Sequence, residues 1–133
     1  MKYKVIRDTR EQAGKGWSFA ASTACEGTVR RKLDTGDYSL EGYEHLFTID
    51  RKGSLSEFAG NLMQGRFERE LARMASFSYA ALFLEFEMED LLAWPKGSGI
   101  PVAKQRRMKF QAPALLARFW TVLLKDRKST RLN

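Results

Sequence analysis

Apolar positions along the chain follow two periods, and the change between them marks the elements. Residues 3–8 (Tyr-Lys-Val-Ile-Arg-Asp) read as a short strand running into a polar turn. Residues 13–27 are rich in Gly, Ala and Ser, with Trp17 and Phe19 as anchors, and read as loop or short helix. Thr28 to Leu33 is a second strand, ended by the turn signal Asp34-Thr35-Gly36. Tyr38 to Leu40 is extended again, Glu41-Gly42 turns, and Leu46 to Lys52 has the β-branched and aromatic residues of a further strand.

The period then changes. Ser54 with Glu57 three residues on has the spacing of a capping box, and Leu55, Phe58, Ala59, Leu62 and Met63 keep helical spacing. Gly65 kinks or pauses that helix, and Phe67, Leu71 and Met74 carry the stripe on to about Phe77. Tyr79 to Phe86, opening with six apolar residues, reads as a buried strand, and residues 95–101 as a Gly/Pro loop. Gln111 to Lys125 closes the chain as a helix, with Pro113 in its first turn and Leu115, Leu116, Phe119, Trp120 and Leu123 on its apolar side. Strands, a helix, another strand and a final helix make a mixed α/β architecture, in which a further strand is expected after Lys125.

Length and composition bound what this architecture can do. The 133 residues suit one domain, and the longest apolar run, Tyr79 to Leu84, is too short to span a bilayer. The opening Met-Lys-Tyr-Lys has no apolar stretch behind it, so the expected compartment is cytoplasmic or nucleoid-associated, with no membrane partner. The last eight residues, 126–133, resemble the translation of a sequencing-library adapter. The expected domain is therefore 1–125, truncated at its C-terminus, followed by an adapter-derived tail.

Cys25 and His45 are the only residues of their kinds. One cysteine and one histidine exclude an internal disulfide, a multi-thiolate zinc site and a two-histidine metal site. Enzyme chemistry would then run on carboxylates, lysine and a hard metal such as Mg²⁺ or Mn²⁺. Cys25, in a loop of small residues with no basic neighbour, is expected to be inert, and His45 a surface residue. Trp94 either packs under the loop or stacks on a base.

The formal charge of +7 is unevenly distributed. Residues 91–133 hold ten bases and one acid, whereas Glu85, Glu87, Glu89 and Asp90 form an acidic cluster. A basic C-terminal third is either a solvated face or a surface for a phosphate backbone, and Lys104, Arg106, Arg107 and Lys109 are its densest part.

Carboxylates gather at three places before residue 60: Asp8-Thr9-Arg10-Glu11, Gly36-Asp37-Tyr38, and Asp50-Arg51-Lys52 with Glu57 behind it. Asp50 and Lys52, two apart on a strand, share a face, and one hairpin suffices to bring Asp37 beside Asp50. Paired carboxylates need a cation to neutralise them, and a divalent metal both does so and activates water against a phosphoryl group. A lysine alongside stabilises the charge that develops on phosphorus. Asp-x(12)-Asp-x-Lys is thus either a phosphodiesterase centre or an ordinary solvated strand edge.

Taken together, Asp8-x-Arg10-Glu11, Gly36-Asp37-Tyr38, Asp50-Arg51-Lys52, Gly60-Asn61-Leu62 with Gly65-Arg66-Phe67, and the strand Leu82-Phe83-Leu84-Glu85 resemble the XPF-type nuclease domain. That domain belongs to structure-specific endonucleases of DNA repair within the PD-(D/E)xK superfamily, and the resemblance covers about residues 3–90. It implies a restriction-endonuclease-like α/β fold, a mixed sheet flanked by helices. It also implies Mg²⁺- or Mn²⁺-dependent endonuclease activity on branched or flapped DNA, and pairing of two copies through helices. By the same resemblance Asp37 and Asp50 are metal ligands supplemented by Asp8 and Glu11, and Lys52 is the catalytic lysine. Arg10, Arg51 and Arg66 support the site or hold phosphates. The family's Glu-Arg-Lys is Asp50-Arg51-Lys52 here, and its later Asp falls on Ser56, with Glu57 one position beyond. The alternatives are a catalytically silent DNA-binding module of the same fold, and an interaction domain whose acidic cluster at 85–90 meets a basic partner.

Overall fold

The computed structural model describes residues 1–130, with side chains through Lys125. The chain divides into two compact units, 1–51 with 73–83, and 52–72 with the segment from Leu84 onward.

The first unit is built on a mixed sheet. Its strands are β1 (Tyr3–Arg7), β2 (Cys25–Arg30), β3 (Tyr38–Leu40), β4 (Phe47–Lys52) and β5 (Tyr79–Leu84), in the order β2-β1-β3-β4-β5. β1 and β2 are parallel, pairing Val5 with Thr28 and Arg7 with Arg30. β3 is antiparallel to both neighbours, pairing Ile6 with Ser39 on one side and Tyr38 with Ile49 on the other. Val5, Cys25 and Tyr38 form the core, with Trp17, Leu40 and Ile49 packed against them. Trp17 stacks on Tyr38 at 5.1 Å between ring centroids and meets Phe83 edge-on at 4.9 Å.

Two sequence expectations shift here. The second strand begins at Cys25 rather than Thr28, because pairing to β1 sets its register and β1 ends at Arg7. Cys25 is therefore a buried strand residue, its sulfur accepting from the Gly27 N–H at 3.3 Å. β5 is not a buried strand. It lies at the edge of the sheet, and Tyr79 and Phe83 are 68% and 45% exposed. A short apolar run reports strand propensity and leaves its neighbours unspecified.

The second unit is helical: α1 (Leu55–Met63), α2 (Arg66–Met74, belonging here through Ala72), α3 (Met88–Ala93), α4 (Val102–Gln105) and α5 (Ala112–Thr130). Ser54 caps α1 by accepting from the Glu57 N–H, and the Glu57 carboxylate reaches back to the Gly53 N–H, a shifted form of the expected capping box. The long helix expected to run to Phe77 is two helices, since Gly65 takes φ +69° between them. Phe58 is fully buried at the centre, within 5.1–5.4 Å of the Phe67, Phe86 and Phe119 rings. The apolar side of α5 splits: Leu115 and Val122 are buried, whereas Trp120 and Leu124 are more than half exposed. Trp94 is buried with its Nε1–H donating to the Phe110 carbonyl, the packing alternative of the two. α3 and α4 are too short for periodicity to reveal. The tail at 126–133 lies outside the residues described with side chains. No helix among the described residues is long and apolar enough to cross a membrane.

Candidate active site

Asp37 joins three strand ends. Its carbonyl accepts from the Asp8 N–H at the end of β1, and its own N–H donates to the Ile49 carbonyl of β4, both at 2.8 Å. Tyr38 is also paired with Ile49, so two successive residues oppose one, the geometry of a β-bulge. The Asp37 Oδ2 then accepts from the Arg51 N–H at 2.8 Å. Asp37 is thereby bonded to the backbone on either side of Asp50; it immediately precedes β3, and Asp50 lies on the neighbouring β4.

The Gly-Asp pair has a steric reason. Gly36 has φ +77°, and a Cβ there would overlap the Thr48 hydroxyl and lie 2.8 Å from the Ile49 carbonyl oxygen. Only glycine lets the chain pass this close to β4 and still deliver Asp37.

β4 alternates, with Thr48, Asp50 and Lys52 buried at 0, 1 and 4% exposure. Asp50 and Lys52 therefore have the same parity on the strand. The Lys52 ammonium meets Glu70 Oε2 of α2 at 2.8 Å.

Around Asp37 the other acidic residues are engaged by protein donors. Asp8 is buried; its Oδ1 accepts from the Leu33 N–H (2.7 Å), and its Oδ2 from the Arg10 Nε (2.6 Å) and N–H (3.2 Å). Burial pushes the Asp8 carboxyl up, but the Arg10 side chain and the Leu33 and Arg10 N–H groups outweigh it and hold it below the usual carboxylate range. Arg10 also donates to the Leu33 carbonyl at 2.6 Å, fixing the turn after β1. Glu11 accepts from the Tyr38 hydroxyl at 3.3 Å and from Arg51 Nη1 at 3.5 Å. Burial, followed by the Glu11 charge among the causes that raise it, moves the Tyr38 phenol above its ordinary range.

The full set of four carboxylates implied by the resemblance is not gathered into one ligand shell. Among the described residues no group of three or more Asp, Glu, His or Cys side chains is placed to hold a metal. Asp8 bonds Arg10, and Glu11 bonds Arg51 and Tyr38. The donor chemistry of Asp37 and Asp50 still suits Mg²⁺ or Mn²⁺, since such ions keep several waters and use one or two carboxylates together with substrate phosphate.

The remaining predicted residues are placed as follows. Glu57 is a helix-capping carboxylate. Arg66 opens α2 and is exposed. Lys104, Arg106, Arg107 and Lys109 are exposed on α4 and the turn after it. That turn is held from within: Gln105 Nε2 donates to the Ile100 carbonyl, and Gln111 Nε2 to the carbonyls of Gln105 and Met108. His45 is exposed.

Two participants escaped the sequence reading. Arg7 ties the loop after β1 to the sheet by donating to the carbonyls of Gln12, Lys15 and Trp17. Glu70 is 18 residues from Lys52, and its signal was its place on α2, flanking the stripe of Phe67, Leu71 and Met74.

No protein-family model matches the chain, and no curated protein sequence matches it. Among solved structures, XPF from Aeropyrum pernix superposes with a TM-score of 0.55 at 21% identity, over 92% of this chain and 49% of that one. The chain thus has an XPF-like fold and spans about half the length of the structure it matches.

Proposed function

We propose that this chain is a metal-dependent endonuclease that hydrolyses phosphodiester bonds in DNA, with branched or flapped duplexes as its substrates. One observation carries the reading: in an XPF-like fold, Asp37 is bonded to β4 at Ile49 and Arg51, around Asp50, on the strand that ends in Lys52. Two carboxylates and a lysine so close along the chain suit phosphoryl chemistry.

Asp37 and Asp50 would hold Mg²⁺ or Mn²⁺, which polarises a phosphoryl oxygen and lowers the pKa of bound water. Lys52 hydrogen-bonds the attacking water or a non-bridging oxygen and stabilises the negative charge that grows on the phosphorane. Arg51 keeps Asp37 in place through its N–H, and Asp8 orients Arg10 toward the substrate backbone from the turn after β1. The exposed cations Arg66, Lys104, Arg106, Arg107 and Lys109 contact phosphates and supply affinity without sequence preference. The same reading assigns the protein to the nucleoid of the cytoplasm and allows a pair of copies on one DNA junction.

The test is cleavage of end-labelled flap, fork and linear duplexes with and without Mg²⁺. Metal-dependent products are expected from the parental chain and none from Lys52→Ala, with DNA affinity changed less than threefold. Binding without cleavage by the parental chain would instead establish the silent DNA-binding module.

A further inference from the structure

Lysine is an awkward group to aim. Its four-carbon stem carries about 2 kcal/mol of rotamer entropy, and its ammonium is strongly hydrated. The Lys52 side chain is nevertheless only 5% exposed, and a buried ammonium is tolerated when it is paired. One carboxylate that pairs with it, at 2.8 Å, is Glu70, itself 21% exposed.

Glu70 is well anchored. Phe67, one turn earlier on α2, is fully buried and packs on Phe58 and Phe119 with centroids 5.3 and 5.9 Å apart. Leu71, the next residue, is 8% exposed. Glu68, on another side of the helix, pairs with Arg118 and Lys125 of α5 at 2.9 and 2.8 Å. The helix is thus fixed by an aromatic cluster and two ion pairs, and the carboxylate it presents to Lys52 inherits that rigidity. Glu57, which the resemblance placed behind Lys52, directs its carboxylate to the Gly53 N–H instead.

We infer that Glu70 is a positioning residue for Lys52, holding the ammonium in the orientation from which it serves the reacting phosphate. The inference rests on the endonuclease reading for its catalytic part and on geometry alone for the contact. In this role Glu70 acts through Lys52. It removes rotamer freedom from Lys52 before DNA arrives, so the transition-state contact is made without first ordering the chain.

The experiment combines two readouts on the parental chain, Glu70→Ala, Glu70→Asp, Lys52→Ala and the Lys52→Ala/Glu70→Ala double variant. The first is acetylation of each lysine amine by a water-soluble acetylating reagent, read by peptide mass spectrometry. The second is single-turnover cleavage of a labelled flap duplex in Mg²⁺, with DNA affinity from fluorescence anisotropy. Loss of one charge-assisted hydrogen bond predicts a roughly 10- to 100-fold fall in cleavage rate for Glu70→Ala at unchanged DNA affinity. Lys52 acetylation should rise severalfold while labelling of the other lysines stays constant. Glu70→Asp keeps the charge but shortens the reach, and should fall at least threefold in rate. The double variant should be no slower than Lys52→Ala.

Unchanged labelling and unchanged rate in Glu70→Ala would overturn the inference while the endonuclease reading stood. Raised Lys52 labelling with no cleavage by the parental chain would overturn that reading and the catalytic part, leaving a structural ion pair. If Glu70→Ala loses its cooperative unfolding transition, Glu70→Asp decides, and a parental rate there overturns the inference.

Discussion

Gly36→Ala tests whether the Gly-Asp pair is a steric device or a sequence accident. The perturbation adds one methyl group at φ +77°, where that methyl would overlap the Thr48 hydroxyl and stand 2.8 Å from the Ile49 carbonyl oxygen. The left-handed conformation costs an L-residue about 1–2 kcal/mol. The overlap adds roughly 1–3 kcal/mol, because the Ile49 oxygen belongs to the sheet backbone and cannot rotate away as a side chain would. The sum is about 2–5 kcal/mol, a large part of the 5–15 kcal/mol that typically holds a folded domain. Gly42→Ala is the internal control, since Gly42 has φ +84° and nothing within 4 Å of an added Cβ. It should show only the conformational part, about 1–2 kcal/mol. Urea unfolding followed by tryptophan fluorescence measures both, with Trp17 in the same unit reporting on the sheet. Because the Asp37 N–H bonds the oxygen that the methyl would strike, Gly36→Ala should also slow cleavage well beyond its effect on stability. Equal destabilisation by the two substitutions would refute the reasoning, for it would mean that the strand relaxes around the methyl at no cost.

Asp8 gives a prediction in pH. Its folded-state carboxyl is held below the usual range, so its stabilising contribution is present above about pH 4 and is lost as pH falls through the lower folded value. Asp8→Asn should therefore be less stable than the parental chain at neutral pH, with the gap narrowing in acid, as measured by urea midpoints from pH 7 to pH 3; a gap independent of pH would contradict this. Arg106 and Arg107 give a prediction in salt. Replacing both with Gln should reduce the slope of log affinity against log salt by roughly one to two units if both meet phosphate, and fluorescence anisotropy on a duplex at several KCl concentrations measures it. An unchanged slope returns the turn after α4 to an ordinary solvated surface.

Much of the architecture was legible in the chain because it is encoded locally. β1, β3 and β4 follow from alternation and turn signals, and α1 from a cap and a helical stripe. Asp37, Asp50 and Lys52 stood out because a turn glycine precedes the first and strand parity relates the other two. What the chain could not show was anything dependent on a partner. The register of β2 came from β1, and the exposure of β5 from its place at the sheet edge. The family resemblance implied that Asp8 and Glu11 supplement the metal site. Only the fold revealed that Leu33, Arg10, Arg51 and Tyr38, up to 40 residues away in sequence, engage their oxygens. Glu70 was invisible for the same reason. Residue spacing along a strand or helix states which side chains share a face, whereas the pairing of Lys52 with a carboxylate 18 residues on depends on how α2 packs. Local spacing encodes most of the elements and the chemistry at hand; which of those groups meet is set by packing, because hydrogen bonds and ion pairs act over a few ångströms of space and do not recognise distance along the chain.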